Sequence, residues 1–173
     1  ETEEGLVQNS QMGEKRVEIP QVELPMVDGI DWSYGLLHLP DQELLLGTVC
    51  DFYKTLNIEA DTLEEFYQQS KEHPDMLVQY RIKVHAMKSS ANLIGATVLG
   101  GMAKLLEYAA RDNDRITIDA LHAIFLREWR SYREKLEEII ALAGGEPSWG
   151  EELSLGKICY IIMQMVHIFQ KKS

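Results

Sequence analysis

TIDALHAIFLREWRSYREKLEEII, residues Thr117–Ile140, sets Ile118, Leu121, Phe125, Trp129, Tyr132, Leu136 and Ile139 at steps of three and four. At 3.6 residues per turn these side chains line one stripe of an α-helix, with charged residues on the other side. Thr117 reads as its N-cap and Gly144-Gly145 as its end. A helix with one long apolar stripe must bury it against other elements. The pattern of its neighbours therefore decides the fold.

Those neighbours read as helices too. Upstream, Thr97 opens a helix with Leu99, Met102, Leu106 and Ala109 inward, ending near Arg111-Asp112-Asn113. Before it, His73-Pro74 starts a helix that runs to about Ile94 with Met76, Tyr80, Met87, Ala91 and Ile94 in its stripe, and Gly95 ends it. Asp41 suits the cap of a helix carrying Leu45, Val49, Phe52 and Leu56. Leu63, Phe66 and Tyr67, after Asp61, either continue that helix or follow a break at Asn57. A short first helix follows Asp31, with Trp32, Leu36 and Leu37 on one side, and stops at Pro40. Short polar connections at residues 72–74, 95–97 and 113–114 make consecutive helices antiparallel. The expected fold is all-α: an up-and-down antiparallel four-helix bundle with an extra short N-terminal helix.

The bundle is assigned to residues 30–145. Residues 1–29 are rich in Glu, with Pro20, Pro25 and several Gly and no apolar period, and read as an acidic linker. Such a linker suggests a module of a longer polypeptide. Residues 146–173 form a C-terminal extension; a helical pattern over Glu151–Lys172 is apolar almost all round, so it is expected to pack on the bundle or on another copy. The oligomeric state stays open.

Composition narrows the function. In the 173-residue chain, 17 Lys plus Arg stand against 28 Asp plus Glu, a formal charge of −11. That balance opposes binding to nucleic acid or to an anionic membrane surface, both of which call for basic faces. The 45% hydrophobic content suffices for a core. Two cysteines, Cys50 and Cys159, fit neither a disulfide framework nor a zinc knuckle, and suggest a reducing compartment. The first 30 residues show no secretory pattern, and the run Ile158–Phe169 falls short of the roughly 20 residues a spanning helix needs.

On the third long helix, Arg81, His85, Lys88, Ser89 and Asn92 share a polar stripe opposite Met87 and Ile94. No His, Cys or carboxylate stands three or four residues from His85, so a metal site is not expected. On the next helix Glu107 shares its face with Gly100, Ala103 and Ala110, small residues that let a carboxylate reach across to the histidine helix. His38, His73, His122 and His167 have no comparable surroundings and read as ordinary. Met87, Met102, Met163 and Met165 read as packing residues. No Gly-rich phosphate cradle followed by Lys and Ser or Thr is present, so no ATP site is expected.

The stretch His85-Ala86-Met87-Lys88-Ser89-Ser90-Ala91-Asn92-Leu93-Ile94-Gly95-Ala96 resembles the signature of histidine-containing phosphotransfer (HPt) domains. That signature has a His, Lys three residues on, small residues, then Gly-Ala ten and eleven on. The resemblance extends over Ile30–Ala143, including Asp31-Trp32, Asp51-Phe52-Tyr53 and Leu106-Glu107-Tyr108-Ala109-Ala110-Arg111. Ser89 stands where the family usually has Gly; it too is small enough for close approach.

The resemblance implies a phosphorelay intermediate. His85 would accept a phosphoryl group from a receiver-domain aspartyl phosphate and pass it to another receiver aspartate. Lys88 would offset the phosphoryl charge, and Glu107 would orient the ring. Arg81, Ala86, Ser89, Asn92 and Gly95 would meet the docking response-regulator receiver, although Arg81 reads equally as a solvated charge. No cofactor and no metal of its own are implied, and the module would be no ATP-using enzyme. Family habit places it in the bacterial cytoplasm as the C-terminal module of a hybrid sensor histidine kinase. Two other readings fit the same pattern: the phosphoacceptor domain of a chemotaxis-type kinase, and a non-catalytic helical binding module.

Overall fold

The computed structural model describes residues 23–143. The glycine pair expected to end the last helix, the pattern over Glu151–Lys172 and most of the acidic linker lie outside these residues. Among the described residues there are five α-helices and no strand. They are α1 (Trp32–His38), α2 (Gln42–Glu72), α3 (Leu77–Leu93), α4 (Thr97–Arg111) and α5 (Arg115–Leu142). Helices α2 to α5 pack each on the next, α5 returns to α2, and α1 rests on α2 and α3. The all-α bundle expected from the sequence is what the chain forms.

Local signals explain the boundaries. Asp31 caps α1 by accepting from the Tyr34 N–H at 3.1 Å, and Asp41 caps α2 by accepting from Glu43 and Leu44. Helix α2 runs through Asn57 without a break. Leu45, Val49, Phe52, Leu56, Ala60 and Leu63 keep one buried stripe, and Asn57 lies outside it. Pro74 disfavours helical backbone at His73 and so ends α2.

Three expectations are corrected here. Residues Pro74–Met76 form a 3₁₀ turn before α3; its tighter winding turns Leu77 into the core and leaves Met76 half-buried. The cap of α5 is Asp114, which accepts from the Thr117 N–H, so the helix starts at Arg115 and Thr117 is already inside it. Leu37 is exposed. Helix α1 is only two turns long and packs through the buried Gly35, and Leu39 behind it takes the inward place. Packing also reaches upstream of Ile30: Val27 is buried, Trp32 Nε1 donates to the Pro25 carbonyl, and Tyr132 Oη donates to the Gly29 carbonyl.

The core centres on Trp129, fully buried against Phe52 and Phe125, with its indole N–H donating to the Leu56 carbonyl at 2.9 Å. The α3–α4 connection is a Schellman turn. Gly95 has φ +83°, its N–H donates to the Asn92 carbonyl, and the Ala96 N–H donates to the Ala91 carbonyl. The Gly95 carbonyl accepts from the Asp31 N–H at 2.9 Å, pinning α1 onto the turn. A Cβ on Gly95 would overlap the Asp31 carbonyl. Gly95→Ala is therefore expected to lower the unfolding free energy by about 2 kcal/mol or more, from backbone strain and lost contact together. Urea denaturation measures this; an unchanged midpoint would show that the turn tolerates a side chain.

Candidate functional site

Helices α3 and α4 are antiparallel about a tight turn, so residues equidistant from Ala96 face each other. His85 stands eleven residues before Ala96 and Glu107 eleven after it. The expected juxtaposition occurs: His85 Nδ1 lies 2.7 Å from Glu107 Oε1. Lys88 Nζ donates to the other oxygen, Oε2, at 2.6 Å. One carboxylate thus bridges an imidazole and an ammonium that stand one turn apart on α3. Lys88, expected to offset the charge of an incoming phosphoryl group, is thus also ion-paired to Glu107.

The electrostatics assign the protons. Burial alone pushes the Glu107 carboxyl pKa up, but hydrogen bonds from Lys88 and His85, reinforced by their charges, outweigh it and hold the group below its ordinary value. Ionised Glu107 can only accept, so His85 Nδ1 carries the proton and donates. A protonated Nδ1 cannot accept, so the 3.5 Å approach of Lys88 Nζ to it is a contact and not a hydrogen bond. The side chain of His85 is 35% exposed, against 20% for Lys88 and 16% for Glu107. The imidazole is the most accessible of the three.

The residues expected to dock a partner fall into two groups. Arg81 lies half-buried one turn before His85, and Ala86 is exposed beside it. Ser89 sits on the same stripe but turns its hydroxyl back to the His85 carbonyl at 3.1 Å. One assignment is corrected. Gly95 is buried beneath Asp31, where the turn requires a positive φ, and so offers no surface to a partner. Asn92 is half-buried, with its amide against Gly100 of α4. Among the described residues no group of three His, Cys, Asp or Glu gathers to hold a metal ion, and no helix is long and apolar enough to cross a membrane.

A second polar cluster was not anticipated. His122, read from sequence as ordinary, is 2% exposed between α2, α3 and α5. Burial raises the Tyr80 pKa, so Tyr80 keeps its proton and donates to His122 Nδ1 at 3.1 Å. Nε2–H then donates to Glu64 Oε2 at 3.0 Å, while Tyr67 stacks on the ring and donates to Asp119. The available signal was position: His122 falls between Ile118 and Phe125 on the inward stripe of α5. A polar residue there must be buried with partners.

Comparison of the chain with models of known protein families, with curated proteins and with solved structures returned no match.

Acid should weaken the fold through His122. Burial lowers its pKa and the Glu64 hydrogen bond only partly opposes this, so in the shifted range the unfolded chain binds the extra proton. Stability is complete above the ordinary histidine value of 6.5 and falls as pH drops below it toward the folded value. Glu64, held low first by its bond from Gln68, and Glu107 lose their contributions only below the ordinary carboxylate value of 4.5. The midpoint temperature of thermal unfolding should thus drop as the pH is lowered from about 7.5 to about 5.5 in the native chain. His122→Gln, which keeps a donor and an acceptor, should show a flatter profile in that interval; parallel profiles would remove His122 from the acid response.

Proposed function

We propose that this chain is a phosphotransfer module whose phosphoacceptor is His85 Nε2. The observation that carries the reading is the carboxylate at 2.7 Å from Nδ1, itself ion-paired to Lys88, beneath a ring one-third exposed. With its proton held on Nδ1, the imidazole presents its lone pair on Nε2, the nitrogen across the ring from Glu107. Nε2 attacks the phosphorus of a receiver aspartyl phosphate. The N–P bond forms as the P–O bond to the aspartate breaks, and the carboxylate leaves with the electron pair. Because Nδ1 keeps its proton, the ring becomes cationic as the N–P bond forms. Glu107 stabilises that charge. Transfer to a second receiver aspartate reverses the step.

Lys88 has two tasks in this scheme. It keeps Glu107 ionised, and it places a positive charge near a carboxylate that would otherwise repel the arriving phosphoryl oxygens. The surrounding surface suits an acidic protein partner. In a chain of charge −11, Arg81 on α3 and Lys104 on α4 add positive charge beside the Lys88–Glu107 pair, while Lys83 pairs with Glu59 and Arg111 with Asp112. Exposed Val78 and Ile82 precede His85 on α3 and supply apolar contact area beside it. These features support docking of a receiver domain, as the resemblance to HPt domains implies, and with it a place in a cytoplasmic bacterial phosphorelay. A partly exposed histidine with a half-buried, ion-paired carboxylate behind it is not what a purely structural bundle requires.

The test is incubation with a phosphorylated receiver carrying radiolabel. Acid-labile label should appear on the native chain and be absent from His85→Gln; equal labelling of both ends the proposal. A separate ATP-dependent kinase domain as donor, labelling the chain where receivers do not, would identify the chemotaxis-type acceptor instead. Two further variants probe the flanking groups. Glu107→Ala should slow transfer roughly ten-fold with the fold retained, the loss expected for one charged hydrogen bond. Lys88→Ala should shorten the lifetime of the phosphorylated form roughly five-fold, from an attraction of about 1 kcal/mol at 4 Å in water. Rates equal to the native chain would remove the corresponding residue from the site.

A further inference from the structure

We infer that Asn92 and Gly100 form a register lock between α3 and α4 that sets the His85–Glu107 distance, making Asn92 a positioning residue. Asn92 stands four residues before Ala96 and Gly100 four after it, so they oppose each other across the same antiparallel pair as His85 and Glu107. Each member is seven residues, or two turns, from its counterpart on the same helix. The two pairs therefore lie on one seam.

The contact is close. The Asn92 amide occupies the space a side chain on Gly100 would need: a Cβ there would overlap Asn92 Oδ1 and come within 2.8 Å of Cγ. Gly101, its neighbour, is exposed, and a Cβ on it would meet nothing within 4 Å. Two adjacent glycines in one helix thus differ in kind. Helix propensity favours Ala at both. Only Gly100 has an interhelical reason to lack a side chain. Between the lock and the site, Ala103 keeps the approach tight, so the seating of Asn92 on Gly100 governs the spacing of the backbones two turns away.

The lock is specific in size. A methyl group at residue 100 displaces the Asn92 amide from its seat, and truncating Asn92 leaves a gap; both loosen the seam and let the register drift. Either change lengthens a 2.7 Å hydrogen bond that has little tolerance, since such bonds weaken steeply beyond about 3.2 Å. Combining the changes restores contact across the seam.

The readout is the His85 ring itself, through the ¹⁵N and ¹H signals of its imidazole, which report the Nδ1–H tautomer. Transfer from a phosphorylated receiver is measured alongside; that rate rests on the phosphoacceptor reading, whereas the tautomer does not. Gly100→Ala and Asn92→Ala should each reduce the Nδ1–H population and slow transfer roughly ten-fold, the cost of one charged hydrogen bond. The double variant should recover both, and Gly101→Ala should change neither. If Gly100→Ala fails to fold, Asn92→Ala, which introduces no clash, still carries the test. A native tautomer in Asn92→Ala, or a double variant as impaired as the singles, would overturn the lock. A tautomer that responds as expected in a chain that accepts no phosphoryl group would uphold the lock and refute the function.

Discussion

Shielding a carboxylate to 16% exposure disfavours its charged form, and partners must offset that loss of solvation. Glu107 stays ionised because α3 and α4 approach closely enough for Lys88 and His85 both to reach it. Everything distinctive about the site depends on that approach. It assigns the proton to His85 Nδ1, neutralises the ground beneath the ring, and leaves the imidazole as the accessible group. The approach depends in turn on Gly100, Ala103 and Ala110 along α4, all buried, where larger side chains would hold the helices apart.

The rest of the bundle keeps this pair in place. Schellman turns bound α4 at both ends, one through Gly95 and one through Asn113 at φ 58°. Asp31 and α1 clamp the first of these turns. Trp129 ties α5 to α2 through the Leu56 carbonyl, so the frame behind the site is fixed by a polar bond as well as by apolar area. The free energy of such a frame is a small difference between large terms. A turn that admits no side chain is therefore a significant part of it.

Two histidines show how position sets chemistry. His85 is on the polar stripe of α3, with Nδ1 against the Glu107 carboxylate and a third of the side chain accessible. His122 is on the apolar stripe of α5, bonded at both ring nitrogens and sealed from solvent. Identical side chains thus serve a candidate reaction in one place and the core in the other. The second is a buried network of the kind that specifies one packing arrangement when fully satisfied.

The helices, most of their caps, their inward stripes and the exposed side of His85 were legible in the residues alone, because capping and amphipathic spacing act within about one turn. The reach of Glu107 toward His85 was also legible, from the small residues sharing its face. What the linear pattern did not contain was register between helices. The continuity of α2 past Asn57, the 3₁₀ turn that brings Leu77 inward, the Lys88–Glu107 ion pair, the seat of Asn92 on Gly100 and the partners of His122 all depend on how side-chain volumes mesh. Those contacts join residues 19 to 58 positions apart at the ion pair and the His122–Glu64 bond. Local sequence decided which groups face outward and which inward; only the packed tertiary structure decided which of them touch, because contact is set by the distance between helix axes and not by spacing along one.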